Sequence, residues 1–245
     1  MARKPADPAH IKGQLSLLEE ELAAPINLPA PATSAPTSDA VLRNDGSGDA
    51  VLRNDGGVDS NDVATISGPN TRIRAGNAMQ RARAAAVDGA LSVLAKRGVK
   101  ALTMADVADA SGLARATLYN HVRDKQSLLQ LVLAHEVRDL AVMFSAAPTM
   151  PAALTTTSRA IAEHRSLIGI REHDPLALAP IAVPSAGDGW DAIRELARQA
   201  LAARGSKATA AQVDLLLRWL ASFVTVPSDE STRHSQASEL AKSLK

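Results

Sequence analysis

The chain has 245 residues, with 27 Lys and Arg against 26 Asp and Glu, and aromatic residues make up only 2% of it. It has no cysteine, which excludes disulfide bonds, thiolate metal sites and cysteine nucleophiles and suits a reducing compartment. No apolar run approaches the roughly 20 residues that cross a membrane, and the N-terminus lacks the apolar core of a signal peptide. We therefore expect a soluble cytoplasmic protein without a membrane partner.

The charged residues divide the sequence into three parts. Residues 1–70 carry 5 Lys and Arg against 10 Asp and Glu, residues 71–125 carry 10 against 4, and residues 126–245 carry 12 against 12. Contacts with phosphates supply most of the sequence-independent strength of nucleic-acid binding. A basic segment between an acidic tail and a neutral body is therefore typical of a protein that binds a polyanion.

The first part, residues 1–70, is predicted to be a disordered acidic tail. Residues 11–22 have an amphipathic pattern, and the Pro-, Ala- and Ser-rich run that follows cannot bury enough apolar surface to hold one conformation. The amphipathic pattern is compatible with a marginal tail helix or with a docking helix for another protein. In either case we expect the tail to offer few apolar groups to the core.

The tail also contains a direct repeat of ten residues, DAVLRNDGSG at 39–48 and DAVLRNDGGV at 49–58. Two copies are too few for a solenoid, and each copy holds an Asn-Asp-Gly turn signal that could close a small hairpin. One interpretation is a tandem duplication within a linker. The other is a doubled motif that binds a protein partner.

The second part begins with a predicted supporting helix. Val87 and Leu94 lie on its apolar face, and the run ends with two basic residues in the last turn and Gly98 just beyond it. Arg72 and Arg74 lie just ahead of this helix or in its opening turns. We expect them to reach phosphates or a minor groove as an arm.

The next residues, 103–125, predict two short helices joined by a tight turn, the pattern of a DNA-reading helix-turn-helix. Thr103 precedes an apolar periodic run and has Asp106 three residues later, the spacing of a capping box. Gly112 ends this helix, because glycine takes a left-handed backbone conformation without steric cost. In the following helix Leu118 faces inward, and the outward side chains are small, polar or basic. These outward residues are Ala114, Arg115, Thr117, Tyr119 and His121.

From about Arg81 to Leu133 the sequence resembles the DNA-binding domain of the TetR/AcrR family of bacterial transcriptional repressors. The resemblance rests on the segments AAAVDGALSVLAKRGVKALTM, DVADASGLARATLYNHV and DKQSLLQLV. In that family a Gly before a Thr-opened second helix, a Leu-Tyr close of the third helix and a Lys at the start of the fourth recur together. Val122 departs from the pattern, because the family usually has Phe there.

The resemblance implies an all-α homodimer. It places a three-helix DNA-binding domain at residues 71–125 and a helical domain for dimerisation and, usually, small-molecule binding at residues 126–245. The acidic tail of residues 1–70 precedes them both.

The body is predicted to be helical wherever its apolar residues are periodic. After a cap at Asp124, the candidate helices span residues 127–144, 152–167, 190–203 and 210–224, with a weaker one at 236–244. The stretch from Arg171 to Gly189 is rich in proline and glycine and is predicted to be a long loop.

The candidate helix at 210–224 carries the broadest apolar stripe of the body. Trp219 and Phe223 lie one turn apart, which indicates a large buried contact in a chain so poor in aromatic residues. The contact is either the core of one chain or a dimer interface, and the resemblance favours the interface. The residues assigned to that interface are Leu216, Trp219, Leu220 and Phe223.

No catalytic constellation is found in the sequence. There is no Gly-rich phosphate loop after a strand and no Gly-x-Ser-x-Gly elbow. The one local group that could hold a metal is interpreted as a solvated loop, because it lies on a polar stretch flanked by proline. It consists of His164, Glu172, His173 and Asp174. We expect no enzymatic activity, no metal and no cofactor.

These features predict a homodimeric repressor that reads a near-palindromic operator in double-stranded DNA. Arg115 is assigned to a base, since its guanidinium can bond two acceptors of guanine, and Thr117 to a thymine methyl or a phosphate. Ala114 lies on the same groove-facing side. A small-molecule effector would release the DNA by favouring a subunit arrangement that mismatches the operator. The residues assigned to phosphates are Thr103, Tyr119, His121 and Lys125.

Two other functions remain open at this point. An architectural or chromosome-organising protein would share the helix-turn-helix but would occupy many sites and need no effector. An adaptor would bind DNA and recruit a protein partner through its acidic tail. Genome-wide occupancy and deletion of residues 1–70 would separate these from a local repressor.

Overall fold

The computed structural model describes residues 16–31 and 69–244. Within these ranges the chain forms eleven α-helices and a 3-10 turn without any strand, which confirms the all-α class. None of these helices is long and apolar enough to span a membrane. The helices are α1 (Ser16–Ala23), α2 (Pro69–Arg97), α3 (Met104–Ser111), α4 (Arg115–His121), α5 (Lys125–Ala146), α6 (Met150–Ala162), α7 (Arg165–His173), α8 (Ala179–Ala182), α9 (Asp188–Ala203), α10 (Ala210–Thr225) and α11 (Glu230–Ser243), and the 3-10 turn is Pro175–Leu178.

Helices α2, α3 and α4 form a three-helix unit around a small core. Val87, Val107 and Leu118 are each at most 1% exposed, and Val122 is 2% exposed. The aliphatic side chain at position 122 therefore occupies a core site even though it is smaller than Phe. The same buried cluster continues into α5, α7 and α10, so the unit shares its core with the body.

The body departs from the predicted elements at two places. The predicted helix 152–167 is two helices, because the backbone of His164 has an extended conformation between α6 and α7. The predicted long loop is largely helical: α7 continues to His173, and the 3-10 turn and α8 follow. Pro175 and Pro180 stand in the first turns of these short elements, where the missing N–H of proline would be unpaired in any case.

Helix α1 packs onto the body, against α5 and α9. Leu18 is 2% and Leu22 is 6% exposed, and both belong to a second buried cluster that the body helices form. The expectation that the tail offers few apolar groups to the core is therefore wrong for residues 16–31. The start of the amphipathic stretch and the ten-residue repeat lie outside the described residues.

Four polar contacts, made by two arginines, fix the end of α1. The Arg138 guanidinium on α5 donates to the carbonyl oxygens of Glu21, Ala24 and Pro25, at 2.7, 2.9 and 3.0 Å. The Glu21 carbonyl is one that the end of a helix leaves without an intrahelical partner, and Ala24 and Pro25 follow the last residue of α1. The Glu21 carboxylate also forms an ion pair of 2.7 Å with Arg83 on α2. Helix α1 thus contacts both the body and the three-helix unit.

Two glycines allow α2 to approach its neighbours closely. A Cβ placed on Gly89 would come within 2.8 Å of the Ser111 Cβ on α3, and one placed on Gly169 of α7 would come within 2.2 Å of the Ala95 carbonyl oxygen. Such distances leave no space for a side chain, so the absence of a Cβ sets both helix separations. Neither contact was foreseen from the sequence, in which these glycines lie inside helical runs.

Candidate nucleic-acid interface and ligand cavity

The turn between α3 and α4 is fixed by a cap at one end and a glycine at the other. The Thr103 Oγ1 accepts a hydrogen bond of 3.1 Å from the backbone N–H of Asp106, as the sequence predicts for the start of this helix. Gly112 has φ 69° and ψ 12°, the left-handed conformation expected at the helix end. These two residues determine the direction in which α4 leaves the turn.

The Asp106 carboxylate accepts two further hydrogen bonds at this cap. It accepts a hydrogen bond of 2.6 Å from the Thr103 hydroxyl and another of 2.9 Å from Arg97 at the end of α2. The hydroxyl bond first, and then the charge of Arg97, hold the pKa of Asp106 below its ordinary value. The carboxylate thereby ties α2 to α3.

Helix α4 presents one face to the core and the other to solvent. Leu118 is fully buried, whereas Arg115 is exposed and Tyr119 is 51% exposed. Ala114, at the N-cap, is exposed, and its side chain makes no cap hydrogen bond. Arg115 and Tyr119, one turn apart, are thus exposed on the same side of the helix. Two other predicted groove-facing residues, Thr117 and His121, are half-buried.

Lys125 lies at the start of α5, beside this surface. Its Nζ donates to the carbonyl oxygen of Lys100, at 3.2 Å, in the turn between α2 and α3. Asp124 caps α5 as predicted, by accepting from the N–H of Ser127 at 2.8 Å. Lys125 therefore has a structural contact that the sequence did not indicate, and its assignment to a phosphate stays a prediction.

The basic residues upstream belong to α2 itself. Arg72 and Arg74 fall in its first turns, since the helix begins at Pro69. The structure describes their backbone but not their side chains. Arg83 is engaged with Glu21. The arm predicted at Arg72 and Arg74 is thus part of α2 and not an extended segment ahead of it.

Known proteins are similar in sequence to the three-helix unit. Residues 86–132 match the family profile described as bacterial regulatory proteins, tetR family. The helix-turn-helix of this chain is thus similar to that of the tetR family of bacterial regulatory proteins. The HTH-type transcriptional repressor KstR2 of Rhodococcus jostii (strain RHA1) is 30% identical over 96 residues, which cover 36% of this chain and 47% of KstR2. The chain therefore spans about half the length of this curated relative.

A solved structure is also similar to the chain. The TetR family repressor AlkX from Dietzia sp. strain DQ12-45-1b, implicated in biodegradation of n-alkanes, is 22% identical, with a TM-score of 0.47. The similarity covers 66% of this chain and 98% of AlkX.

Behind the helix-turn-helix lies a cavity of about 710 Å³. This volume is within the range of roughly 300–1,000 Å³ that small-molecule sites occupy. Its wall combines Leu91 and Leu94 of α2 with side chains of α5 to α10, and Leu18 of α1. A molecule in this cavity would contact both the three-helix unit and the body. The sequence did not locate this site, because its wall is assembled from residues far apart in the chain.

The polar side chains on the cavity wall are few. His164 Nε2 lies 2.9 Å from Glu136 Oε2, which pairs a half-buried histidine with a half-buried carboxylate. Gln130 and Thr157 are 7% and 2% exposed, and the Gln130 Nε2 and Thr157 Oγ1 have no hydrogen-bond partner. The sequence contains one signal of a polar group on this wall, which is the glutamine within the apolar segment LLQLVLAH.

The four residues considered for a metal do not converge. His164 faces Glu136, and the Asp174 carboxylate accepts a hydrogen bond of 2.9 Å from the backbone N–H of Lys100. In the described part of the chain no three His, Asp or Glu side chains are grouped so that they could hold a metal ion. Asp174 instead joins α7 to the turn after α2.

The residues assigned to a dimer interface divide into two pairs. Leu216 and Phe223 are each 2% exposed within a single chain, which leaves little of either side chain for a partner to contact. The Phe223 and Trp219 rings pack edge to face at a centroid distance of 5.0 Å, so the aromatic contact lies within the chain. Trp219 and Leu220 are half-buried, and Leu215 is 52% exposed beside them.

Proposed function

We propose that this protein is a homodimeric, cytoplasmic transcriptional regulator without enzymatic activity, which represses a promoter by binding a near-palindromic operator. The observation that carries the proposal is the rigid helix-turn-helix. The Thr103 cap, Gly112 and the buried Leu118 hold α4 so that Arg115 and Tyr119 stand exposed on one surface. The protein that this domain matches, KstR2, is a transcriptional repressor by name.

Each side chain on this surface has a distinct role in the proposed complex. Arg115, at the first position of α4, contacts a guanine through its two-pronged guanidinium, which is the geometry that distinguishes this base in the major groove. Ala114 and Thr117 pack against the base edges. The phosphates on either side are bound by Thr103, Tyr119, His121 and Lys125, with Arg72 and Arg74 reaching the backbone from α2.

Regulation follows from the position of the cavity. An effector acts only through a difference in affinity between two conformations. Leu91 and Leu94 place α2 on the cavity wall, and Ser166 of α7 donates a hydrogen bond of 2.9 Å to the Leu91 carbonyl oxygen. A ligand that displaces α2 or α7 would therefore change the orientation of the helix-turn-helix.

The dimer in this proposal forms through the exposed edge of α10. Leu215 and the half-buried Trp219 lie one turn apart on this helix, with Leu220 next to them. Two copies of this surface would meet about a two-fold axis, which matches the symmetry of a palindromic operator.

Selection of binding sites from random double-stranded DNA tests the proposal. We expect enrichment of an inverted repeat whose half-sites lie about 34 Å apart, one turn of the double helix, or a multiple of it. Native mass spectrometry of the complex should give two protein chains for each site. If all sequences bound equally, the architectural alternative would be favoured, and loss of the complex with a partner on removal of the tail would favour an adaptor.

A further inference from the structure

The cavity wall identifies the kind of molecule that it can hold. We propose that the cavity binds an uncharged, largely apolar small molecule that carries a hydrogen-bonding oxygen, with Gln130 and Thr157 as its polar contacts. This inference rests on the proposed function only for the consequence of binding, the release of DNA. The binding itself can be measured on the protein alone.

The first argument is the apolar surface of the wall. Leucine and isoleucine side chains of eight helices line it, among them Leu94, Leu129, Leu140, Ile193 and Leu217. A ligand that fills this space removes apolar surface from water on both sides of the contact, which is the main favourable contribution to binding in such a site.

The second argument is the charge of the wall. Its charged or chargeable side chains are Glu136 and His164, which lie 2.9 Å apart and satisfy each other. No Lys or Arg is among the described residues that line the cavity. A carboxylate or phosphate on the ligand would therefore be buried without a free cation, which is costly in an apolar site. This excludes an anionic group as the buried part of the ligand.

The third argument is the pair of unsatisfied polar groups. Nearly all buried polar atoms in proteins have a hydrogen-bond partner, so each exception needs an explanation. The Gln130 amide nitrogen can only donate, and the Thr157 hydroxyl can donate or accept. A carbonyl, ester or hydroxyl oxygen of the ligand would satisfy both kinds of group, whereas a pure hydrocarbon would leave them unpaired.

The test is displacement of the uncharged fluorescent probe N-phenyl-1-naphthylamine from the full-length protein by three matched compounds. These are nonane, 2-nonanone and nonanoate, which differ in the polar group at one end of the chain. We expect 2-nonanone to displace the probe at a concentration at least tenfold lower than either of the others. Failure of the probe to bind, or displacement most readily by nonanoate, would overturn the inference.

Substitutions of similar shape locate the polar contact. Gln130→Leu and Thr157→Val should each reduce the advantage of 2-nonanone over nonane by about threefold or more. Thr155→Val is the matched control. Thr155 is also on α6 and its hydroxyl also has no hydrogen-bond partner, but this residue does not line the cavity. Thr157→Val serves as the second variant if Gln130→Leu does not fold. If the advantage were unchanged in both variants, these residues would not be the contacts.

Operator binding then separates this inference from the proposed function. If 2-nonanone binds as expected but leaves the affinity for the selected operator unchanged, the ligand class stands and the regulatory proposal fails. If the protein reads an operator but binds none of the three compounds, the regulator stands and the ligand class fails.

A second inference comes from α1 and is independent of the polar groups. We infer that residues 16–31, the N-terminal strap, close one side of the cavity and connect it to α2. Leu18 forms part of the wall, the three carbonyl contacts of Arg138 hold the strap to the body, and Glu21 pairs with Arg83 on α2. A ligand that enters past the strap must disturb these contacts.

Stopped-flow release of the same probe tests the strap. Arg138→Met should accelerate dissociation of the probe about tenfold, because the strap loses its hydrogen bonds to the body. Glu21→Gln should have a smaller effect in the same direction. The control is Arg159→Met, which changes an exposed arginine on α6. Unchanged rates in both strap variants would show that the ligand enters elsewhere.

Discussion

Gly169 on α7 lies directly against Ala95 on α2, at a separation that admits no side chain. A Cβ at position 169 would come within 2.2 Å of the Ala95 carbonyl oxygen and within 2.7 Å of its Cα. The contact joins α2 of the three-helix unit to α7, and both helices line the cavity. A displacement of α7 would therefore move α2 as well.

Gly169→Ala should destabilise the protein by about 1–3 kcal/mol, because overpacking forces the two backbones apart. Urea unfolding followed by circular dichroism measures this loss. Glu172→Ala, an exposed change on the same helix, is the control and should stay within about 0.5 kcal/mol of the parent protein. If Gly169→Ala were as stable as the parent, the close approach would not exist in solution.

Arg115→Ala should weaken specific binding by about 1–3 kcal/mol and relax the preference at one base pair. The measurement is repeated selection from random DNA, together with titration of the selected operator. Lys125→Ala should instead weaken binding to all sequences alike and reduce the salt dependence by about one counterion. An unchanged selection profile for Arg115→Ala would contradict the assignment of this residue to a base.

Removal of residues 1–31 should lower the free energy of unfolding by about 2–4 kcal/mol, since Leu18 and Leu22 lose their buried positions. Removal of residues 1–15 alone retains α1 and provides the control. Chemical denaturation of the two truncated proteins gives the difference. Equal stability would mean that α1 does not pack on the body.

Asp106→Asn should destabilise α3 at neutral pH and lose its effect in acid. The folded-state pKa of Asp106 lies below its ordinary value, so the charged carboxylate stabilises the fold above the ordinary pKa, and this contribution disappears as the pH falls through the lowered one. The difference in melting temperature between parent and variant should therefore shrink from pH 6 toward pH 2.5. Asp109→Asn, an exposed change on the same helix, is the control.

Leu215→Glu should give a folded monomer that binds the operator weakly. A charge in a packed apolar interface is costly, and dimerisation is linked to binding at two half-sites. Light scattering on the free protein measures the assembly, and Leu176→Glu, at a leucine that is 86% exposed, is the control. Phe223→Ala should instead lower stability by about 3–5 kcal/mol, since this ring is buried within the chain.

The sequence by itself determined the helix-turn-helix. Thr103 as a cap, Gly112 as a left-handed end and Leu118 as an inward residue are local signals, since each acts within one turn of its own position. The exposed position of Arg115 followed from the same helical periodicity. The apolar stripe of α10 was also visible, although periodicity shows that a face is buried and not what covers it.

Only the tertiary structure decided what depends on residues far apart in the chain. The cavity combines α1, α2 and six body helices, and no local pattern specifies such a meeting. The glycines at 89 and 169 are informative only once the helix opposite each is known. Likewise Leu18 and Leu22 showed an amphipathic pattern, but the partner of that pattern, α5 with the Arg138 side chain, lies more than a hundred residues away. Burial and partner choice are properties of the assembled chain, because they arise from contacts that form only when distant segments pack together.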